Sequence, residues 1–150
     1  MRVRYFAYGS NLDARQLEKR CPSATGLFRA RLPHYRLDFT YYSSRWVGGA
    51  ADVLPHSDGQ VWGAVYELDP LDLARLDRFE RGYERVVLRV LDDEECEHLV
   101  TSYTVREKRS FRPTDIYLDK MLRWAEHWRL PDEYLAELRR VPVHRARGHG

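Results

Sequence analysis

The sequence is poor in cysteine and in lysine, and it holds no long apolar run. Cys21 and Cys96 are its only cysteines, too few for a disulfide framework, so a small cross-linked secreted scaffold is excluded. Purely apolar stretches last only a few residues, far short of the roughly 18 that span a bilayer, and no basic start followed by an apolar segment marks a signal peptide. The expectation is a soluble protein, with the cytoplasm as its compartment. Lysine occurs only at Lys19, Lys108 and Lys120, so arginine carries most of the 25 basic residues. Against 23 acidic residues these leave a formal charge of +2, which provides no global field for nucleic acid or an anionic membrane.

Other absences narrow the chemistry. None of the six histidines forms a His-x-x-x-His pair, and no Cys-x-x-Cys is present, so a metal site has little support. Ser10 lacks the Gly-x-Ser-x-Gly elbow of serine hydrolases. Cys21 precedes a proline and Cys96 lies among acidic residues, surroundings that disfavour a reactive thiolate.

What is present is an ordinary folding composition: 150 residues, 43% hydrophobic, with ten Tyr among the aromatics. That length fits one domain over 1–150, with a core over 3–141 and a frayed tail at 142–150. Val3 to Tyr8 reads as a strand, Gly9-Ser10-Asn11 as a turn, and Leu12 to Arg20 as a helix capped by Asn11. Two strands are expected on either side of Pro33, then a turn over Ser43 to Ala51. Val53-Leu54, a Pro55-to-Gly59 turn and a strand over Val61 to Leu68 suggest a hairpin. Asp69-Pro70 starts a short helix that ends near Glu80 to Gly82. Val87 to Leu91 and Leu99 to Val105 read as strands around an acidic turn, and helices follow from Thr114 to Trp128 and over Asp132 to Val141. Strands first and helices last define an α+β domain, a mixed barrel-like β-sheet flanked by helices with a helical C-terminal third.

Two features carry candidate chemistry. A strand ending in Gly9-Ser10-Asn11 and turning into a helix leaves amide N–H groups free to hold a carboxylate or phosphate, although any strand-to-helix turn needs a glycine and a cap. Glu80 falls at the end of the Pro70 helix, where the dipole disfavours a carboxylate and raises its pKa. A solvated charge is the plain alternative, and Arg78, Arg81 and Arg85 nearby would pull the pKa down.

The residues together resemble the γ-glutamylcyclotransferase family, including its plant-type, AIG2-like branch. The likeness is carried by Phe6-Ala7-Tyr8-Gly9-Ser10-Asn11-Leu12, Arg20-Cys21-Pro22-Ser23-Ala24, Trp46-Val47-Gly48-Gly49-Ala50-Ala51, Val61 to Leu68, Leu76-Asp77-Arg78-Phe79-Glu80, and Pro113-Thr114 with Tyr117, Leu130-Pro131 and Tyr134. The resemblance implies a small mixed barrel and a cofactor-free enzyme of glutathione metabolism, of acyl-transfer or amidine-lyase type. In its reaction the α-amine of a γ-glutamyl group attacks its own γ-carbonyl, releasing 5-oxoproline and an amine or amino acid. It further implies Glu80 as the general base and acid, with Tyr5, Phe6, Ala7, Tyr8, Gly9, Ser10 and Asn11 binding substrate through main-chain groups and Tyr117 orienting it. The chain departs from the family pattern at Arg81, where a glycine usually follows the glutamate, and in a short link to Val86. The expected partner is a small γ-glutamyl molecule, not nucleic acid or membrane, and a homodimer is left open. A non-catalytic module holding a carboxylate-bearing metabolite is the alternative, while RNA binding lacks both charge and motif.

Overall fold

The computed structural model describes residues 1–145. Five strands, β1 (Val3–Ala7), β2 (Thr25–Ser43), β3 (Gly48–Leu68), β4 (Tyr83–Leu91) and β5 (Glu97–Val105), close into a barrel in the order β1-β3-β2-β4-β5. β1 runs antiparallel to β3 and parallel to β5, meeting β5 at Tyr5 and Thr101. The sheet is therefore mixed, as the order of elements led one to expect. The helices are α1 (Ala14–Arg20), α2 (Pro70–Phe79), α3 (Asp115–His127) and α4 (Asp132–Arg139). Among the described residues no helix is long and apolar enough to cross a membrane.

Alternation along β1 sends its side chains to two separate cores. Phe6 and Tyr8 join Val65, Leu88 and Val100 and the buried faces of α3 and α4, where Tyr117, Met121 and Leu138 are enclosed. Tyr5 and Ala7 instead pack with Leu17, Leu73, Leu76 and Tyr103, joining α1 and α2 to the barrel. The short first strand thus fixes both helical layers.

Several expected boundaries differ. Pro33 does not divide β2: the strand passes through it with an irregularity between Pro33 and Tyr35, where His34 takes φ 68. The expected turn at Pro55 to Gly59 is an excursion within β3, since Tyr35 pairs with Pro55 while Pro33 pairs with Gln60. The long antiparallel partner of β3 is β2, so the hairpin turns after Ser43 and the strand resumes at Gly48. Gly49 pairs with Tyr42 and packs so closely that a Cβ there would lie 3.0 Å from the Cβ atoms of Phe39 and Phe111. Part of the segment expected to fray is held in place. His144 pairs in parallel with Thr114, its N–H on the Pro113 carbonyl and its own carbonyl accepting from Asp115, because the chain entering α3 offers it backbone partners. The remainder of that expected tail, 146–150, lies outside the described residues.

Candidate active site

α2 begins with Pro70 at its first turn and ends by delivering Glu80. The Glu80 N–H still donates to the Leu76 carbonyl, but its φ of −99° and ψ of 51° leave the helix. A tight turn follows, in which the Tyr83 N–H bonds the Glu80 carbonyl and Gly82 takes φ 84. The side chain of Glu80 faces a cavity of about 280 Å³, walled on the other side by Tyr8, Gly9, Ser10 and Asn11. The glutamate and the loop, far apart in sequence, share one concavity.

Asn11 Nδ2 donates to Glu80 Oε1 at 3.1 Å and to Tyr5 Oη at 3.0 Å. Burial raises the Glu80 carboxyl to about 7 from the ordinary 4.5, while Arg20 and the Asn11 hydrogen bond pull it back and Asp77 adds to the rise. The upward direction agrees with the sequence expectation, but its main cause is desolvation. The arginine that opposes it is Arg20, whereas Arg85 is spent on Asp77 at 2.7 Å.

Tyr117 is brought to the same cavity by α3, whose N-cap Thr114 accepts from the Tyr117 N–H. The phenol oxygen accepts from the Ala51 N–H at 3.0 Å. With the Ala51 N–H on its oxygen, the phenol directs its own proton elsewhere. Burial raises this phenol to about 12, so it is a neutral donor at physiological pH. Gly9 makes the arrangement possible, since a Cβ there would lie 3.2 Å from the Tyr117 hydroxyl and 3.1 Å from the Ala51 Cβ.

Other expectations require correction. The side chains of Phe6 and Ala7 do not line the cavity: they are fully buried in the two cores, while the residues pair with Val65 and Ala64 on β3. Asn11 does not cap α1. A 3₁₀ turn, Ser10–Leu12, intervenes, and Asp13 caps the helix by accepting from the N–H groups of Arg15 and Gln16. Lys120 pairs with Asp13 at 2.9 Å, so the positive helix end already holds a carboxylate of the chain itself. It is not an open anion site. Sequence reasoning also passed over Arg20, Trp46, Ala51 and Tyr83, all of which line the cavity. Tyr83 Oη donates to the Ala51 carbonyl at 2.6 Å, so Ala51 is braced from both sides. The quoted Arg20-to-Ala24 and Trp46-to-Ala51 segments were the available signal for three of these four residues.

A closed five-stranded barrel here presents one carboxyl near neutrality inside a pocket, an arrangement chemically suited to proton transfer on a small molecule. Among the described residues no group of three or more His, Cys, Asp or Glu side chains is placed to hold a metal. The AIG2-like family model matches residues 60–138. The chain is 31% identical over 152 residues to a gamma-glutamylcyclotransferase of Mus musculus, covering 96% of this chain and 81% of that protein. It is 32% identical over 145 residues to one of Homo sapiens, covering 91% and 77%. A solved gamma-glutamyl cyclotransferase superimposes with a TM-score of 0.94 at 29% identity, over 99% of this chain and 92% of that one. The chain belongs to the γ-glutamylcyclotransferase family.

Proposed function

We propose that this protein is a γ-glutamyl cyclotransferase, converting a small γ-glutamyl compound into 5-oxoproline and a free amine or amino acid. The carrying observation is the approach of Glu80 and the Tyr8-to-Asn11 turn around one cavity, with the carboxyl near 7.

The chemistry follows from those parts. The substrate's α-ammonium gives a proton to the Glu80 carboxylate, and the freed amine attacks the γ-carbonyl carbon to form the ring C–N bond. The tetrahedral intermediate collapses by breaking the original amide C–N bond as Glu80 returns its proton to the departing nitrogen. The second proton of the ring nitrogen then passes to the regenerated Glu80 carboxylate and on to the released amine, which leaves as an ammonium ion. One carboxyl serves as base and then acid. An α-amino group has a pKa of about 8, so a carboxyl at 4.5 is a poor match and one at about 7 a close one. Because the attack is intramolecular, folding the glutamyl chain into its reactive shape supplies much of the acceleration, with effective molarities of about 10⁵ M or more in favourable systems. Tyr117 donates its free proton to a substrate oxygen, and Tyr5, Tyr8, Gly9, Ser10 and Asn11 form the wall against which the glutamyl group folds. The whole of 3–141 acts as one domain. Its proposed location is the cytoplasm, consistent with two free cysteines, one of them exposed.

The test is to incubate the purified protein with γ-glutamyl amino acids and γ-glutamyl amines and follow 5-oxoproline, alongside Glu80→Gln. Loss of about 10²–10⁴-fold is expected for the variant. Equal turnover by both proteins removes Glu80 from the mechanism, and thermal stabilisation by these compounds without product identifies a binding module instead.

A further inference from the structure

Arg20 ends α1 with its guanidinium turned toward the cavity. Its Nη1 donates to Asn11 Oδ1 at 3.1 Å, and its guanidinium carbon lies 4.8 Å from the centre of the Phe79 ring. Phe79 directly precedes Glu80, so the cation rests on the segment that carries the carboxyl. Gln16 Nε2 donates to the same Asn11 oxygen at 2.9 Å. Two donors on Oδ1 fix the amide: turned over, it would set its NH₂ against a guanidinium and its oxygen against a carboxylate. Arg20 therefore acts at two removes, through the amide's orientation and through its own charge.

The other groups around Glu80 leave Arg20 little electrostatic competition. Tyr5 and Tyr8 from the β1 end, Tyr83 from β4, Tyr103 from β5 and Tyr117 from α3 are all raised by burial and are neutral. Cys21, next to Arg20, is raised by burial to about 11 and is neutral as well. Asp77, one turn back on α2, is the opposing charge, but it is engaged by Arg85 at 2.7 Å and by Tyr103 at 2.6 Å. Arg45, Arg78 and Arg81 border the cavity from exposed positions, where water screens them. Arg20 is half-buried.

We propose that Arg20 is a positioning residue for the ring closure, holding the Asn11 amide against Glu80 and biasing that carboxyl toward its ionised, proton-accepting form. The inference rests on reading Glu80 as the base. Burial alone drives the carboxyl toward the protonated state, in which it accepts nothing; Arg20 keeps a working fraction ionised at neutral pH.

The experiment titrates the Glu80 carboxyl by ¹³C NMR in the full chain and, in parallel, measures the pH profile of kcat/KM. An opposite charge a few ångströms away lowers a carboxyl by about one unit or more. Arg20→Gln is thus expected to raise the Glu80 midpoint by about one unit and move the acid limb of kcat/KM with it, a loss of about tenfold at pH 6 that shrinks by pH 9. Phe79→Ala, at a half-exposed position, loosens the guanidinium without emptying a core and is expected to move the midpoint the same way by less. An unmoved midpoint in either variant, or a rate loss equal at every pH, overturns the proposal. If the wild type forms no 5-oxoproline, the cyclotransferase reading fails, while the titration still decides what Arg20 does to the carboxyl.

Discussion

Burying the Glu80 carboxyl beside the cavity weakens the fold. Its carboxyl titrates at about 7 when folded and near 4.5 when exposed, so between those values the folded chain binds more protons than the unfolded one and stability falls as pH rises. The penalty is absent below about pH 4.5 and complete above about pH 7. At most it amounts to about 3 kcal/mol, less what cavity water recovers. Glu80→Gln, which keeps an acceptor for Asn11, is therefore expected to unfold at higher urea than wild type at pH 8 and at the same urea at pH 4. A second residue-scale outcome concerns Tyr117. Tyr117→Phe strands the Ala51 amide, costing about 1–3 kcal/mol where it stays dry. It also removes the proton directed into the cavity, for an expected loss of about 10²-fold in kcat with KM changed less. At this scale the sequence makes Glu80 and Tyr117 recognisable, because a carboxylate at a helix end breaks a local rule and family likeness points to both. It hides Arg20, whose role depends on an amide and a ring from two other segments.

Elements deliver these residues, and the link between α2 and β4 is the narrowest of them. Gly82 sits at φ 84, and a Cβ there would collide with the Tyr41 ring; that ring packs edge-on against Tyr83. Gly82→Ala combines a strained backbone with an overlap, so a loss of about 2 kcal/mol or more in urea unfolding is expected. Because the turn also aims Glu80, kcat/KM should fall with it, whereas a purely global effect would leave the folded enzyme's rate unchanged. This element is legible in the sequence: Asp69-Pro70 opens α2, Gly82 closes it, and β4 and β5 show flanking apolar runs. β2 and the start of β3 are harder to read for opposite reasons. Pro33 imitates a break, but neighbouring His34 absorbs the distortion at φ 68. Gly48 to Ala51 imitate a turn because small residues carry no strand signal, yet close contact with Phe39 and Phe111 requires smallness there. Similarly, Asn11 and Asp13 are both good caps, and only the intervening 3₁₀ turn selects Asp13.

Across the whole molecule, closure of the barrel and alignment of the site are one problem, and Asp52 joins them. This fully buried carboxylate accepts from Thr40 Oγ1 on β2, from the N–H groups of Val53 and Val105, and from Lys108 Nζ at 2.8 Å. It thereby ties β2, β3 and the end of β5 to the segment beyond. That segment continues the connection: the Arg106 N–H donates to the Gly82 carbonyl at 2.9 Å, and the Arg109 and Phe111 N–H groups donate to Thr40 and Phe39. Lys108 Nζ also donates to the Val105 carbonyl at 2.8 Å, and through Val105 and Arg106 it is joined to the turn that precedes β4. Lys108→Met leaves a buried carboxylate without its counter-ion. The full cost of breaking such a pair is about 3–5 kcal/mol, but the Lys108 side chain is 38% exposed, and water replacing it brings the expected loss to about 2–3 kcal/mol in urea unfolding. The distinguishing readout is catalytic. If the 105–111 segment braces Gly82, kcat/KM falls several-fold at temperatures where Lys108→Met is still fully folded; if Asp52 only closes the barrel, the rate of the folded variant matches wild type.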